Sequence, residues 1–122
     1  MANPVGWFEI YVQDIQRAKR FYEQVLAIEL DQLPVPDIEM WAFPNDMTQY
    51  GTGGTLVCIP GMSSGGNSTL VYFSCQDCAV EESRVKEAGG QVQRSKMSIG
   101  QYGFISLIFD TEGNMLGLHS LQ

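Results

Sequence analysis

Trp7-Phe8-Glu9-Ile10-Tyr11-Val12-Gln13-Asp14 is matched, 63 residues further on, by Leu70-Val71-Tyr72-Phe73-Ser74-Cys75-Gln76-Asp77. Both stretches are rich in aromatic and β-branched residues, which predicts strands over 5–12 and 69–75. Each ends on an Asp whose carboxylate can accept the free N–H groups that open a helix. After Asp14, the recurrence of Ile15, Ala18, Tyr22 and Val25 predicts a helix over about 15–26. After Asp77 a less amphipathic helix carries Val80, Val85 and Ala88 and stops at Gly89-Gly90, where glycine suits a left-handed cap. Strands are expected near 28–33, 38–43 and 54–59, then near 91–94, 103–109 and 115–120. Asp110-Thr111-Glu112-Gly113-Asn114 makes the last tight turn, with Gly113 suited to a positive φ. The order strand–helix–three strands therefore occurs twice, the mark of an internal repeat. The expected fold is α+β, with two tandem βαβββ modules at about 4–60 and 68–122. A linker of turn residues at 61–67 joins them within one domain spanning 1–122.

The composition agrees with a packed domain: 44% of the 122 residues are hydrophobic and 17% charged. Seven Lys and Arg against fourteen Asp and Glu leave a net charge of -7. Such a surface repels phosphate, which argues against nucleic acid and anionic membranes as partners. No apolar run approaches the roughly 20 residues that span a bilayer. Met1-Ala2-Asn3-Pro4 carries neither a basic region nor an apolar signal core, so a cytoplasmic location is expected. Cys58, Cys75 and Cys78 are an odd number, and reduced thiols are the expectation.

Alternation along each strand sorts the side chains. Phe8, Ile10 and Val12 face the first helix, leaving Trp7, Glu9 and Tyr11 on the other side. Val71, Phe73 and Cys75 face the second helix, leaving Leu70, Tyr72 and Ser74. In the last strand Leu116 and Leu118 point to the helix, leaving Met115, Gly117 and His119. The 63-residue offset places Gly54, Leu56 and Cys58 on the non-helix face as well.

Beyond this repeat, the sequence resembles the vicinal oxygen chelate superfamily, which includes glyoxalase I, bleomycin-resistance and fosfomycin-resistance proteins and extradiol dioxygenases. Within it, the chain is similar to short bacterial glyoxalase-like proteins related to lactoylglutathione lyase. The residues carrying the resemblance are Trp7-Phe8-Glu9-Ile10, Val12-Gln13-Asp14, Arg17-Ala18-Lys19-Arg20-Phe21-Tyr22 and Gly53-Gly54. They continue with Ala88-Gly89-Gly90, Ile99-Gly100-Gln101-Tyr102-Gly103-Phe104, and Asp110 to Asn114 leading into Gly117-Leu118-His119. The resemblance implies that the non-helix faces curve as a mixed-sheet half-barrel around a small-molecule ligand. It also implies a homodimer, with or without exchange of modules. Metal ligands in this superfamily stand at positions that here hold Trp7, Leu70, Gly54 and Gly117, none of which can ligate through its side chain. No cofactor is therefore expected, and a divalent metal would have only Glu9 and His119 to hold it, fewer than zinc sites use.

Two residues further along each strand lie Glu9, Leu56, Tyr72 and His119. Glu9, His119 and Tyr72 are the candidate base, acid and orienting donor for moving a proton beside a carbonyl. The plainer alternative is a Glu9–His119 hydrogen bond that satisfies two buried polar groups. Trp7, Leu56, Leu70, Trp41, Tyr102 and Phe104 are the candidate substrate-binding side chains. Tyr50 is a further aromatic of the rim, and such aromatics also suit a dimer interface. Gly54 and Gly117 would clear the cleft floor for a flat or apolar group walled by Trp7, unless Trp7 itself fills the vacated volume.

Cys75-Gln76-Asp77-Cys78 has the spacing of redox pairs and zinc knuckles, but no second pair or histidine is near in sequence. Cys58 faces the cleft without a local base. Gly100-Gln101-Tyr102-Gly103 reads either as a loop over the cleft or as a hairpin turn. Glu81, Glu82 and Glu87 read as the solvated face of the second helix. Two functions stand: a metal-independent lyase or isomerase acting on a carbonyl-containing metabolite, or a non-catalytic sequestration protein of the bleomycin-resistance type. A purely structural domain is the third alternative. Glyoxalase I itself is not expected, because its enediolate needs the stabilising ion.

Overall fold

A computed structural model describes residues 3–122. The first module runs β1 (Phe8–Tyr11), α1 (Ile15–Leu26), β2 (Asp31–Gln32), β3 (Glu39–Ala42) and β4 (Gly54–Cys58). The second runs β5 (Val71–Ser74), α2 (Cys78–Val85), β6 (Gln91–Ser98), β7 (Phe104–Phe109) and β8 (Met115–Ser120). Each module forms its own sheet, in the orders β1-β4-β3-β2 and β5-β8-β7-β6. In both, the first strand lies parallel to the last, and the other pairings are antiparallel. This is the expected α+β architecture of two βαβββ modules, with β1 and β5 as edge strands and the sheets not closed on each other. Met1 and Ala2, part of the N-terminal reading, lie outside the described residues.

Both helices start where the carboxylates predict. Asp14 accepts the Arg17 N–H at 3.1 Å and Asp77 the Ala79 N–H at 3.0 Å. α2 is shorter than expected, ending at Val85 and continuing as turns to Gly89, which takes φ +100°. Only Cys78 and Val85 of α2 are buried, so little apolar packing extends the helix. Gly90 then passes so close to β7 that a Cβ there would lie 2.3 Å from the Phe109 carbonyl oxygen. The 100–102 segment is a 3₁₀ turn joining β6 to β7, closed by Ile99 N–H donating to the Gly103 carbonyl at 2.9 Å.

The repeat holds but its offset does not stay constant. Phe8 corresponds to Val71, an offset of 63, yet the β1–β4 and β5–β8 pairings bring Leu56 onto Leu118, an offset of 62. One residue of slip turns a strand over. Gly54, Leu56 and Cys58 therefore share the helix face with Phe8 and Ile10, while Thr55 and Val57 take the opposite face beside Glu9 and Tyr11. Leu56 is 0% exposed within the core, which corrects its placement in the cleft. Trp41 pairs with Leu56 and lies under Lys19 of α1, with the ammonium 4.8 Å from its ring. Phe104 likewise packs against the core, under Lys96. Neither aromatic is on the non-helix face, and Cys58 is not there either.

The two modules share one core. Phe8, Tyr22, Phe43 and Phe73 meet ring to ring at 5.4–6.0 Å, joining β1, α1 and β5. A polar clamp completes the junction. The Tyr22 hydroxyl donates to Asp110 at 2.6 Å, and Asn114 donates to the Tyr11 carbonyl at 3.0 Å. Glu112 reaches the start of α1, accepting the N–H groups of Gln13 and Asp14, each at 2.9 Å, and the guanidinium of Arg17 at 2.7 and 3.0 Å. No helix among the described residues is long and apolar enough to cross a membrane.

Candidate ligand site between the modules

Two cavities lie at the junction, with Phe8 and Val71 forming part of both walls. The first, of about 410 Å³, is lined by Glu9 and Tyr11 of β1, Leu116 of β8, and the linker from Ser63 to Thr69. The linker is thus a wall rather than a tether. Asn67 accepts the Met115 N–H at 2.9 Å and donates to the Met115 carbonyl at 2.7 Å. Ser64 donates to the Glu112 carbonyl at 2.6 Å, and Gly65 N–H donates to Asn114 at 2.7 Å. Nothing in the turn-rich composition at 61–67 announces this role. Its partners belong to the Asp110–Asn114 turn, some 48 residues distant.

Glu9 and Tyr11, both lining this cavity, form a solvent-exposed pair, the phenol donating to the carboxylate at 3.1 Å. That hydrogen bond, with burial and the charge of Glu9, raises the Tyr11 hydroxyl above its ordinary range. Alternation had placed Tyr11 beside Glu9, but only the cavity shows that the two share a space.

The other two proton-moving candidates stand apart from Glu9. Tyr72, 46% exposed, lines the second cavity. His119 places Nε2 2.7 Å from the Tyr102 carbonyl. A carbonyl only accepts, so Nε2 is the protonated nitrogen and the imidazole anchors the 100–102 turn. No hydrogen bond joins Glu9 to His119. Trp7 is 43% exposed just before β1, and Leu70 is half-buried just before β5. Tyr102 is largely exposed on its turn.

The glycine positions are filled from an unexpected side. A Cβ on Gly54 would sit 2.4 Å from the Phe8 ring, and one on Gly117 would sit 2.1 Å from the Tyr72 ring. Phe8 and Tyr72, rather than Trp7, occupy the space the glycines leave, and the glycines open no pocket floor.

The donor set around the expected metal positions is poor. Thr55, not Gly54, is the structural counterpart of Gly117, and its buried hydroxyl has no hydrogen-bond partner. Among the described residues, no three His, Cys, Asp or Glu side chains come together in a way that could hold a metal ion. These residues do not fit the divalent ion that the resemblance implies for the superfamily. Cys75 and Cys78 are both free thiols. Burial, and then the negative charge of Glu81, push the Cys75 thiol up to about 12, far from the reactive thiolate range.

Two βαβββ modules, each with its own sheet, thus share one core and enclose two cavities at their junction. The chain belongs to the glyoxalase/bleomycin resistance protein/dioxygenase superfamily, whose family model matches residues 5–118. No curated protein sequence matches this one. Among solved structures, a glyoxalase-related enzyme from Fulvimarina pelagi superposes with a TM-score of 0.72 at 16% identity, covering 98% of this chain and 88% of that one. TnmS3, an antibiotic binding protein from Streptomyces sp. CB03234, gives 0.71 at 22% identity, covering 99% and 98%. Glyoxalase I from Zea mays gives 0.75 at 20% identity, with 96% of this chain covering 46% of that protein. At these identities the likeness is one of fold.

Proposed function

We propose that this protein binds a small, carbonyl-bearing organic molecule in the cavity between β1 and the linker and releases it unchanged. The observation that carries this reading is the composition of that cavity. Its volume lies in the range of small-molecule sites, with Phe8, Ile10 and Leu116 as apolar wall. Ser63, Ser68 and Thr69 line the other side, and residues of this type carry hydroxyls that can donate to a carbonyl oxygen. Sequestration is favoured over turnover because Glu9, Tyr72 and His119 are dispersed over three places in the chain. The similarity to an antibiotic binding protein supports the same choice.

One observation favours a second reading. Glu9 and Tyr11 share the cavity as carboxylate and phenol, which could serve as base and donor for proton transfer beside a carbonyl. A single experiment separates the two. Chelator-dialysed protein is mixed in D₂O with 1-phenylpropane-1,2-dione, a neutral aromatic dicarbonyl with an exchangeable methyl group. Broadened ligand signals, with deuterium uptake no faster than in buffer, are the expected result. Accelerated uptake that disappears in Glu9→Gln would establish proton transfer instead, and unbroadened signals at millimolar concentration would overturn both.

A further inference from the structure

The second cavity, of about 380 Å³, has a different chemistry from the first. Five aromatic side chains line it: Phe8, Phe43, Tyr50, Tyr72 and Phe73. Leu26 and Ile28 extend the apolar wall, and no Lys or Arg is among the lining residues. The one ionisable carboxyl group there is Glu81, from the first turn of α2. Its Oε1 is shut off from water, and among the described residues it has the weakly donating Cys75 thiol as a neighbour but no O–H or N–H donor paired with it. The helical pattern placed Glu81 with Glu82 and Glu87 on a solvated face. The structure corrects this for two of the three: Glu81 is half-buried against the cavity, and Glu82 accepts the Lys96 N–H at 2.7 Å.

A buried carboxylate oxygen without a donor is costly, and it becomes favourable when a positive group pairs with it. Aromatic faces attract the same kind of group, because the electron-rich ring face draws a cation. From Glu81 and the five aromatics that surround the cavity, we propose that it is a second binding site, selective for an organic cation: an ammonium group on a small apolar body. The net charge of -7 draws such a ligand toward the protein at long range. This site goes beyond the proposed function: it takes a different ligand chemistry from the linker-walled cavity.

Choline and 3,3-dimethylbutan-1-ol have the same shape and differ in charge, so they isolate the cation term. In an NMR titration, choline is expected to shift the amides of Tyr72, Ser74 and Glu81. It is also expected to bind about tenfold or more tighter than the alcohol, the scale of a desolvated cation–π contact together with the Coulomb attraction of a partly buried carboxylate. Glu81→Gln, which keeps the side-chain shape, should reduce that preference severalfold and leave only the part due to the aromatic residues. Glu87→Gln alters the net charge equally without lining the cavity and should leave the preference intact. Equal binding of the two probes, or an undiminished choline preference in a folded Glu81→Gln protein, overturns the proposal. Binding of 1-phenylpropane-1,2-dione is tested separately, so either site can fail without the other.

Discussion

Glu112→Ala is expected to destabilise the fold by about 3 kcal/mol, with Glu112→Gln costing roughly half as much. The carboxylate is closed to solvent and gathers two backbone N–H groups, the Thr111 hydroxyl and the Arg17 guanidinium. Alanine leaves all of these donors without their acceptor. Glutamine keeps an acceptor for the backbone but sets an amide against Arg17. Arg17 itself is 47% exposed, so the ion pair is screened and the backbone bonds carry much of the effect. The same contacts hold the Glu112 carboxyl near 2, below the usual 4.5, against the opposing effect of burial. Because the folded-state value is depressed, the stabilisation is fully present above about pH 4.5 and is lost as pH falls toward about 2. Urea midpoints measured from pH 7 down to pH 2.5 should show the wild type and Glu112→Ala converging. Parallel curves would show that the clamp contributes nothing through its charge.

Leu56→Ala is expected to cost about 3 kcal/mol, typical of a fully buried leucine, while leaving dione binding by the folded protein unchanged. The constant-offset reading of the repeat requires the reverse: a cleft side chain whose loss weakens binding and barely affects stability. Denaturant unfolding paired with a ligand titration decides between them. A small stability loss with weakened binding would mean that β4 lies one residue out of the register described.

That one-residue slip marks the limit of what the chain reveals by pattern alone. The repeat, both N-capping aspartates and the αβ order depend on local signals, and they are legible at Asp14, Asp77 and the alternating strands. Which face of β4 points outward depends on how many residues the loops between β1 and β4 take up relative to their counterparts between β5 and β8. No local propensity encodes that count. The dispersal of Glu9, Tyr72 and His119 has a similar cause. Alternation assigned all three correctly to non-helix faces, but they lie on two sheets that share no ladder. The cavities were beyond reach for another reason. Their walls come from the linker and from α2, where Ser63–Thr69 and Glu81 look like ordinary solvated turn and helix residues until tertiary packing covers them.

The most direct test of a ligand site between the modules is an amide chemical-shift map of the chelator-dialysed protein titrated with 1-phenylpropane-1,2-dione. Shifts concentrated at Glu9, Tyr11 and the linker from Ser63 to Thr69, with the dione recovered unchanged, are the predicted result. Shifts centred instead on Thr55, Gly117 and His119, with the linker silent, would place the site on the open sheet faces and contradict it.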